Sequence, residues 1–295
     1  MQHLDKFLNF LQFEKRFSRH TQISYNTDLV QFSDFISGEF NCLNPGEVNF
    51  RMVRKWIVKL MDEGDTSRTV NRKLSALKSF YKFLQKEGVV NFNPLDKITA
   101  PKVSKRLPVF VDEKQMDNLL DDVEFGNDFT GNRNKLIIEM FYFTGIRLSE
   151  LINIKRSDID FHNLTIKVLG KRNKERIIPV NKDFMDRILD FLKFKAKETV
   201  IAGTDNLFTG KTGKKLYPKA VYRIINTYLK LVTSIEKRSP HVIRHTFATH
   251  MLNHGADLNA IKELLGHANL SATQVYTHNT FEKLTRIYKQ AHPRA

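Results

Sequence analysis

Between Asn93 and Pro108 the sequence reads NPLDKITAPKVSKRLP, with Pro94, Pro101 and Pro108 bracketing the basic residues Lys102, Lys105 and Arg106. Proline lacks an amide hydrogen and forces the residue before it out of the helical region, so spaced prolines hold a chain extended. A basic, proline-spaced stretch of this kind is a linker. No helical period can run through it, and the chain divides into an N-terminal domain over 1–93, a linker over 94–108 and a second domain over 109–295.

Ahead of the break the pattern is helix after helix. Leu4, Phe7, Leu8 and Leu11 recur at helical spacing. Ser18 can cap a second helix that carries Ile23, Leu29, Phe32 and Phe35 and stops near Gly38. A third runs from about Phe50 to Asp62 and ends at Gly64, and Thr66 can cap a fourth that carries Val70, Leu74, Leu77, Phe80, Tyr81 and Leu84. Four helices with short connections predict a compact bundle. The basic residues Arg68, Arg72, Lys73 and Lys78 are interleaved with the apolar stripe of the fourth. Two readings of them stand side by side: a solvated face, or a helix lying on DNA phosphate or in a groove.

Beyond the linker, helices are expected near Asp112, near Asn132 and from Arg147, which follows Thr144-Gly145. The period then changes. Leu164, Ile166 and Val168 alternate with polar residues, and RIIPV at 176–180 follows a polar turn. This predicts an antiparallel hairpin turning over Gly170 to Lys174, with helices from there to the end of the chain. The fold class is therefore mainly α in two domains, an N-terminal four-helix bundle and a mostly helical second domain bearing a small antiparallel sheet.

Forty-eight Lys and Arg stand against 32 Asp and Glu, a formal net charge of +16. An excess of that size points to a polyanionic partner, nucleic acid first. The single cysteine, Cys42, rules out an intramolecular disulfide and a Cys-x-x-Cys metal knuckle. No apolar run has the length of a signal-peptide core or a membrane span, and a cytoplasmic location is expected.

The chemistry-bearing residues lie mainly in the last third. Ser239-Pro240 is a helix start, and His241 and Arg244 share a face in the first turn of the helix that follows. A His, an Arg and the positive end of a helix make an anion site suited to phosphate. Asp257 can cap a further helix closed by Gly266, His267 follows directly, and Tyr276 comes nine residues later. Two other signals fail on inspection. Thr209 to Thr212 read TGKT, but a phosphate-binding loop needs a glycine where Asp205 stands. The pairs His241/His245 and His250/His254 have zinc-ligand spacing, but the accompanying glutamate is missing and Arg244 would set a cation beside the ion.

Taken together, Arg147, Lys171, His241, Arg244, His267 and Tyr276 occur in an order and at spacings that resemble the tyrosine recombinase, or phage integrase, family. The stretches that carry the resemblance are TGIRLSEL, VLGKRNKERIIPV, SPHVIRHTFATHML, LLGHANLSATQVYTH and the terminal AHPRA. The last of these looks most like the bacterial Xer recombinases. SRHTQISYNTDLVQF and TVNRKLSALKSFYKFL resemble the family's core-binding, SAM-like domain.

The resemblance implies a site-specific recombinase that needs no metal or other cofactor. Tyr276 would be the nucleophile, Arg147 and Arg244 the clamps on the phosphate oxygens, His241 the proton acceptor and Lys171 the acid for the leaving oxygen. His267 would bind a phosphate oxygen, and Glu150, one turn after Arg147, would orient the site. Double-stranded DNA is the expected partner, with Arg68, Arg72, Lys73, Lys78, Lys102, Lys105 and Arg106 as candidate contacts. The resemblance also implies a homotetramer or heterotetramer on DNA. In it the terminal helix, with Phe281, Leu284, Ile287 and Tyr288 in one stripe, docks cyclically into a neighbouring protomer rather than onto its own domain. A second recombinase or a DNA motor protein can take part. A DNA-binding protein without catalysis and a relaxing topoisomerase of the same chemistry are the alternatives.

Overall fold

The structure is a computed structural model, and it describes residues 3–104, 109–170, 174–198, 205–266 and 278–295, without the side chains of 278–281. The chain forms two compact units, Met1–Arg106 and Leu107–Ala295.

In the first unit, α1 (Leu4–Asn9) continues as a π turn over Phe10–Glu14, and α2 (Arg19–Phe40), α3 (Phe50–Asp62) and α4 (Ser67–Lys86) follow. Each long helix opens on a side-chain cap: Ser18 Oγ accepts from the Thr21 amide, Asn49 Oδ1 from those of Arg51 and Met52, and Thr66 Oγ1 from that of Thr69. The stop expected near Gly38 lies later. Gly38 stays helical on an exposed face, and Asn41, at φ 49°, closes α2 as its amide and that of Cys42 bond back to the Ser37 and Ile36 carbonyls. Leu29, Phe32, Val53, Trp56, Leu77, Phe80 and Leu84 fill the core between the helices. Ile23, expected on the inward stripe, is 54% exposed.

The second unit opens with a single helical turn, α5 (Glu113–Asp117), capped by Asp112 and continued as a π turn over Asn118–Asp122. Its centre is α6 (Phe129–Thr144), buried on every side from Leu136 to Thr144, as a helix apolar all round must be. α7 (Leu148–Asn153) follows after a tight turn, then strands β1 (Ile159–Asp160), β2 (Thr165–Leu169) and β3 (Glu175–Pro179) in an antiparallel sheet of that order. The predicted hairpin is present, pairing Ile166 with Ile178 and Val168 with Arg176. Leu164, expected in the strand, lies before it at φ 53°.

α8 (Lys182–Glu198) packs on α6. The chain is not helical throughout after it, because isolated bridges join Lys155 to Asn206 and Thr209 to Lys215. The TGKT stretch belongs to the second of these, where the Gly210 amide donates to the Lys214 carbonyl. α9 (Pro218–Val232), α10 (Pro240–Asn253), α11 (Leu258–Leu265) and α12 (His278–Ala291) complete the unit. Among the described residues no helix is long and apolar enough to cross a membrane.

Within a single chain the terminal helix has a seat in its own unit. Its residues Leu284, Tyr288 and Ala291, with His292 after its end, are buried in the core of their own unit, where α12 packs on α10, α11 and β3. His292 Nε2 donates to the Tyr142 carbonyl at 3.1 Å, its Nδ1 accepts from the Arg294 amide, and its ring stacks against Phe143 and Tyr288. A stripe with this much apolar surface finds its partner within the chain itself.

Candidate active site

The turn between α6 and α7 sets the first arginine. Gly145 adopts φ 58°, and a Cβ there would lie 2.5 Å from Phe247 and 2.7 Å from Leu265, so only glycine lets α6 pass this close to α10 and α11. Two residues later Arg147 is the N-cap of α7. Its amide and Nη1 donate to the two oxygens of Glu150 at 2.8 and 2.7 Å, and its Nη2 donates to the Gly266 carbonyl at 2.8 Å.

Arg244 comes from the second turn of α10. It is buried, with Nη1 on the Gly145 carbonyl at 2.6 Å and Nη2 on the Leu265 carbonyl at 2.7 Å. A third arginine belongs to none of the motif positions. Arg176 on β3 donates through Nε to the Leu264 carbonyl at 2.7 Å and through Nη1 and Nη2 to Glu150 at 3.0 and 2.8 Å. The carbonyls of residues 264, 265 and 266, which end α11, thus each hold a different guanidinium. Helix ends leave such carbonyls without intrahelical partners and concentrate negative partial charge there. The signal for Arg176 was its register: in ERIIP it shares the inward face with Ile178 and stands opposite Val168.

Electrostatics follow from burial and crowding. Burial pushes the Glu150 carboxyl up, but the hydrogen bonds and charge of Arg176, with those of Arg147, outweigh it and bring the pKa down to about 2. Arg244 is lowered to about 9, by burial first and then by Arg147 and Arg176. His241, in the first turn of α10, is lowered by burial and by the charges of Arg244, Lys237 and Arg147, which favours the neutral imidazole able to accept a proton.

Arg147, Glu150, Arg244 and His241 therefore stand in one electrostatic neighbourhood. Lys171, His267 and Tyr276 lie outside the described residues, as do Lys105 and Arg106. The chain nevertheless leaves this cluster into the two stretches that hold Lys171 and His267. Gly170 precedes Lys171, and a Cβ on it would lie 3.5 Å from Glu150 Oε1; Gly266, bonded to Arg147, precedes His267.

The other candidates divide. Arg68, Lys78 and Lys102 are exposed. Arg72 is hydrogen-bonded to Asp28 and Ser24, and Lys73 is buried, with its ammonium 2.7 Å from Asp65 and 2.6 Å from Gln31. Of the histidines with metal-ligand spacing, His250 donates from Nε2 to the Val111 carbonyl and so accepts from the Tyr142 hydroxyl at Nδ1, while His254 pairs with Glu113. Among the described residues no three His, Cys, Asp or Glu side chains converge as metal ligands would.

The chain is thus a small helical unit followed by a mostly helical unit with a three-stranded sheet and three arginines gathered around one helix end. The phage integrase family model matches residues 109–283, and the phage integrase N-terminal SAM-like domain matches 4–88. The chain belongs to the phage integrase family. It is 41% identical over 292 residues to a Staphylococcus epidermidis protein named tyrosine recombinase XerC, covering 99% of this chain and 97% of that one. A protein of the same name from Anoxybacillus flavithermus is 39% identical over 295 residues, covering 99% and 98%. Among solved structures, XerH site-specific recombinase in a post-cleavage complex with a palindromic difH substrate aligns with a TM-score of 0.72 at 22% identity, over 99% of this chain and 81% of that one. A lambda integrase(75-356) dimer bound to a COC′ core site aligns at 0.67 and 18% identity, over 92% and 97%. At these identities the structures speak for the fold.

Proposed function

We propose that the chain is a site-specific recombinase that cleaves and rejoins duplex DNA through Tyr276. The observation that carries this reading is the pair Arg147 and Arg244, set by the same helix end beside His241. In the reaction the Tyr276 oxygen attacks phosphorus and the bond to the 5′-oxygen breaks, leaving a 3′-phosphotyrosine. A free phenol has a pKa of about 10, so the attack needs a proton acceptor, and neutral His241 is that acceptor. Lys171 gives a proton to the leaving oxygen. Arg147 and Arg244 hold the non-bridging oxygens, on which charge gathers in the transition state. His267 bonds one of those oxygens. The phosphotyrosine conserves the diester, so rejoining runs the same steps backwards.

Arg68, Lys78 and Lys102, with Lys105 and Arg106, are proposed as phosphate contacts; Lys73 serves its own bundle. The chain acts in the cytoplasm on DNA as a homotetramer or heterotetramer, which a second recombinase or a motor protein can join. Chromosome-dimer resolution fits the names of the relatives, and mobile-element integration or excision is the other role of such chemistry. Sequencing the genomic DNA on which the protein is covalently trapped separates them.

Tyr276→Phe tests the core of the reading. The variant keeps the ring and loses only the hydroxyl, so it binds the same DNA and forms no covalent adduct; normal trapping would overturn the assignment. For Lys171→Ala, a substrate with sulfur at the bridging 5′ position restores cleavage, because a thiolate leaves without protonation. Arg244→Ala gains nothing from that substrate. Equal rescue of both variants, or of neither, would reject this division of roles.

A further inference from the structure

Arg176 has no part in the steps above, yet it is the least exposed Lys or Arg side chain among those buried in the described residues, at 5%. An arginine at an inward strand position is expensive to keep there, since an apolar residue would pack without desolvation. Each of its three nitrogens donates to protein: Nε to the Leu264 carbonyl, Nη1 and Nη2 to the two oxygens of Glu150. It therefore does not itself hold DNA. One guanidinium instead joins three elements, β3, α7 and α11.

Two glycines border it. A Cβ on Gly266, at φ 65°, would lie 3.1–3.3 Å from Arg176 Cδ, Nη1 and Nε, and one on Gly170 would lie 3.8 Å from Nη1. The guanidinium is thus packed against the α11 terminus on one side and the end of β2 on the other.

Resting on the reading of Arg147 and Arg244 as the phosphate clamps, we propose that Arg176 is the positioning residue of the site. It fixes Glu150, which holds Arg147 by its amide and Nη1, and it fixes the last turn of α11, whose next two carbonyls seat Arg244 and Arg147. Both clamps are then aimed by a residue that touches neither substrate nor reacting atom. Among the described residues the charged groups facing Glu150 are Arg147 from the start of α7, Arg176 from β3 and, through its longer-range charge, Arg244 from α10; α11 presents carbonyls.

The test uses the full chain and a nicked duplex carrying the sequence on which the parent is trapped. Arg176→Met is expected to bind that duplex as the parent does and to form the adduct about 100-fold more slowly, the effect of misplacing a group by about 1 Å. Arg176→Lys, which keeps the charge but cannot span a carboxylate and a carbonyl together, recovers part of the rate. With its main partner gone, Glu150 takes up a proton more readily, so adduct formation by Arg176→Met acquires an acid limb at a pH where the parent is flat. Adding Glu150→Gln to Arg176→Met removes that limb. Backbone amides at the end of α11 exchange with deuterium faster in Arg176→Met than in the parent.

A parent-like rate and pH profile in Arg176→Met would overturn the proposal. So would a slowed variant whose pH profile stays that of the parent, since general loosening of the fold predicts that. If the parent forms no adduct at all, the recombinase reading fails, and the exchange rates at the α11 terminus still decide whether Arg176 fixes that helix end.

Discussion

At Glu150 a single buried carboxylate meets the guanidinium groups of Arg147 and Arg176. Breaking such a pair leaves uncompensated charge in the interior and typically costs about 3–5 kcal/mol. Glu150→Gln therefore unfolds at markedly lower denaturant than the parent near neutral pH. The carboxyl is depressed from its ordinary 4.5 to about 2, so its contribution is complete above 4.5 and is lost as pH falls through about 2. The gap between parent and Glu150→Gln, measured by denaturant titration at a series of pH values, narrows over that window. A gap that stays constant down to pH 2 would mean that Glu150 is not ionised in the fold. Tyr288 gives the opposite sign. It is buried and its hydroxyl has no hydrogen-bond partner among the described residues, so Tyr288→Phe removes an unmet desolvation. A stability gain of about 1 kcal/mol, seen as a higher Tm, is expected.

Among the elements, α12 and the residues after it depend on pH through His292. Burial above all lowers its pKa from 6.5 to about 4, so the folded form resists protonation that the unfolded chain accepts. The stability it supports is present above 6.5 and declines as pH falls toward 4. His250, in the same core, is lowered as well, so His292→Gln weakens this acid dependence without abolishing it. Circular dichroism melts at pH 7 and pH 5 check this, and an unchanged acid dependence in His292→Gln would refute it. Such side-chain environments mark where sequence reasoning stopped. Helices α2 to α4 could be read from apolar spacing and from Ser18 and Thr66, because caps and stripes are local. The hairpin was equally plain in the alternation around Ile166 and Ile178. Arg147, Glu150, His241 and Arg244 stand out by motif, whereas Arg176 does not, because its partners lie 26 and 88 positions away. Lys73 reads as a surface cation because Gln31, which draws it into the bundle, lies 42 positions distant. The apolar stripe of α12 is legible in the same local way, whereas the surface it meets depends on residues distant in the chain.

For the whole molecule, the net charge of +16 sets the behaviour on DNA. Each phosphate neutralised on a duplex releases counterions, and the logarithm of affinity falls with the logarithm of salt by about 0.9 per contact. Fluorescence anisotropy between low and moderate salt is expected to show a slope of several such units. Neutralising Lys102, Lys105 and Arg106 together flattens that slope while leaving the preferred sequence unchanged, since phosphate contacts position and base contacts specify. A slope near zero in the parent would mean that the charge serves something other than DNA, and a changed preference would mean that this segment reads bases.

Because α12 already has a seat in its own unit, lending it to another protomer would be a trade of like for like. Leu284, Tyr288 and His292 are the same in every copy, so a second copy's helix would bring the same side chains to that seat. The energies of the closed and traded forms then differ little, and what decides between them is how crowded the copies are. Two copies bound side by side on one duplex meet at an effective concentration that free copies in dilute solution do not reach. On this account, crowding copies together would by itself be enough to favour the traded form.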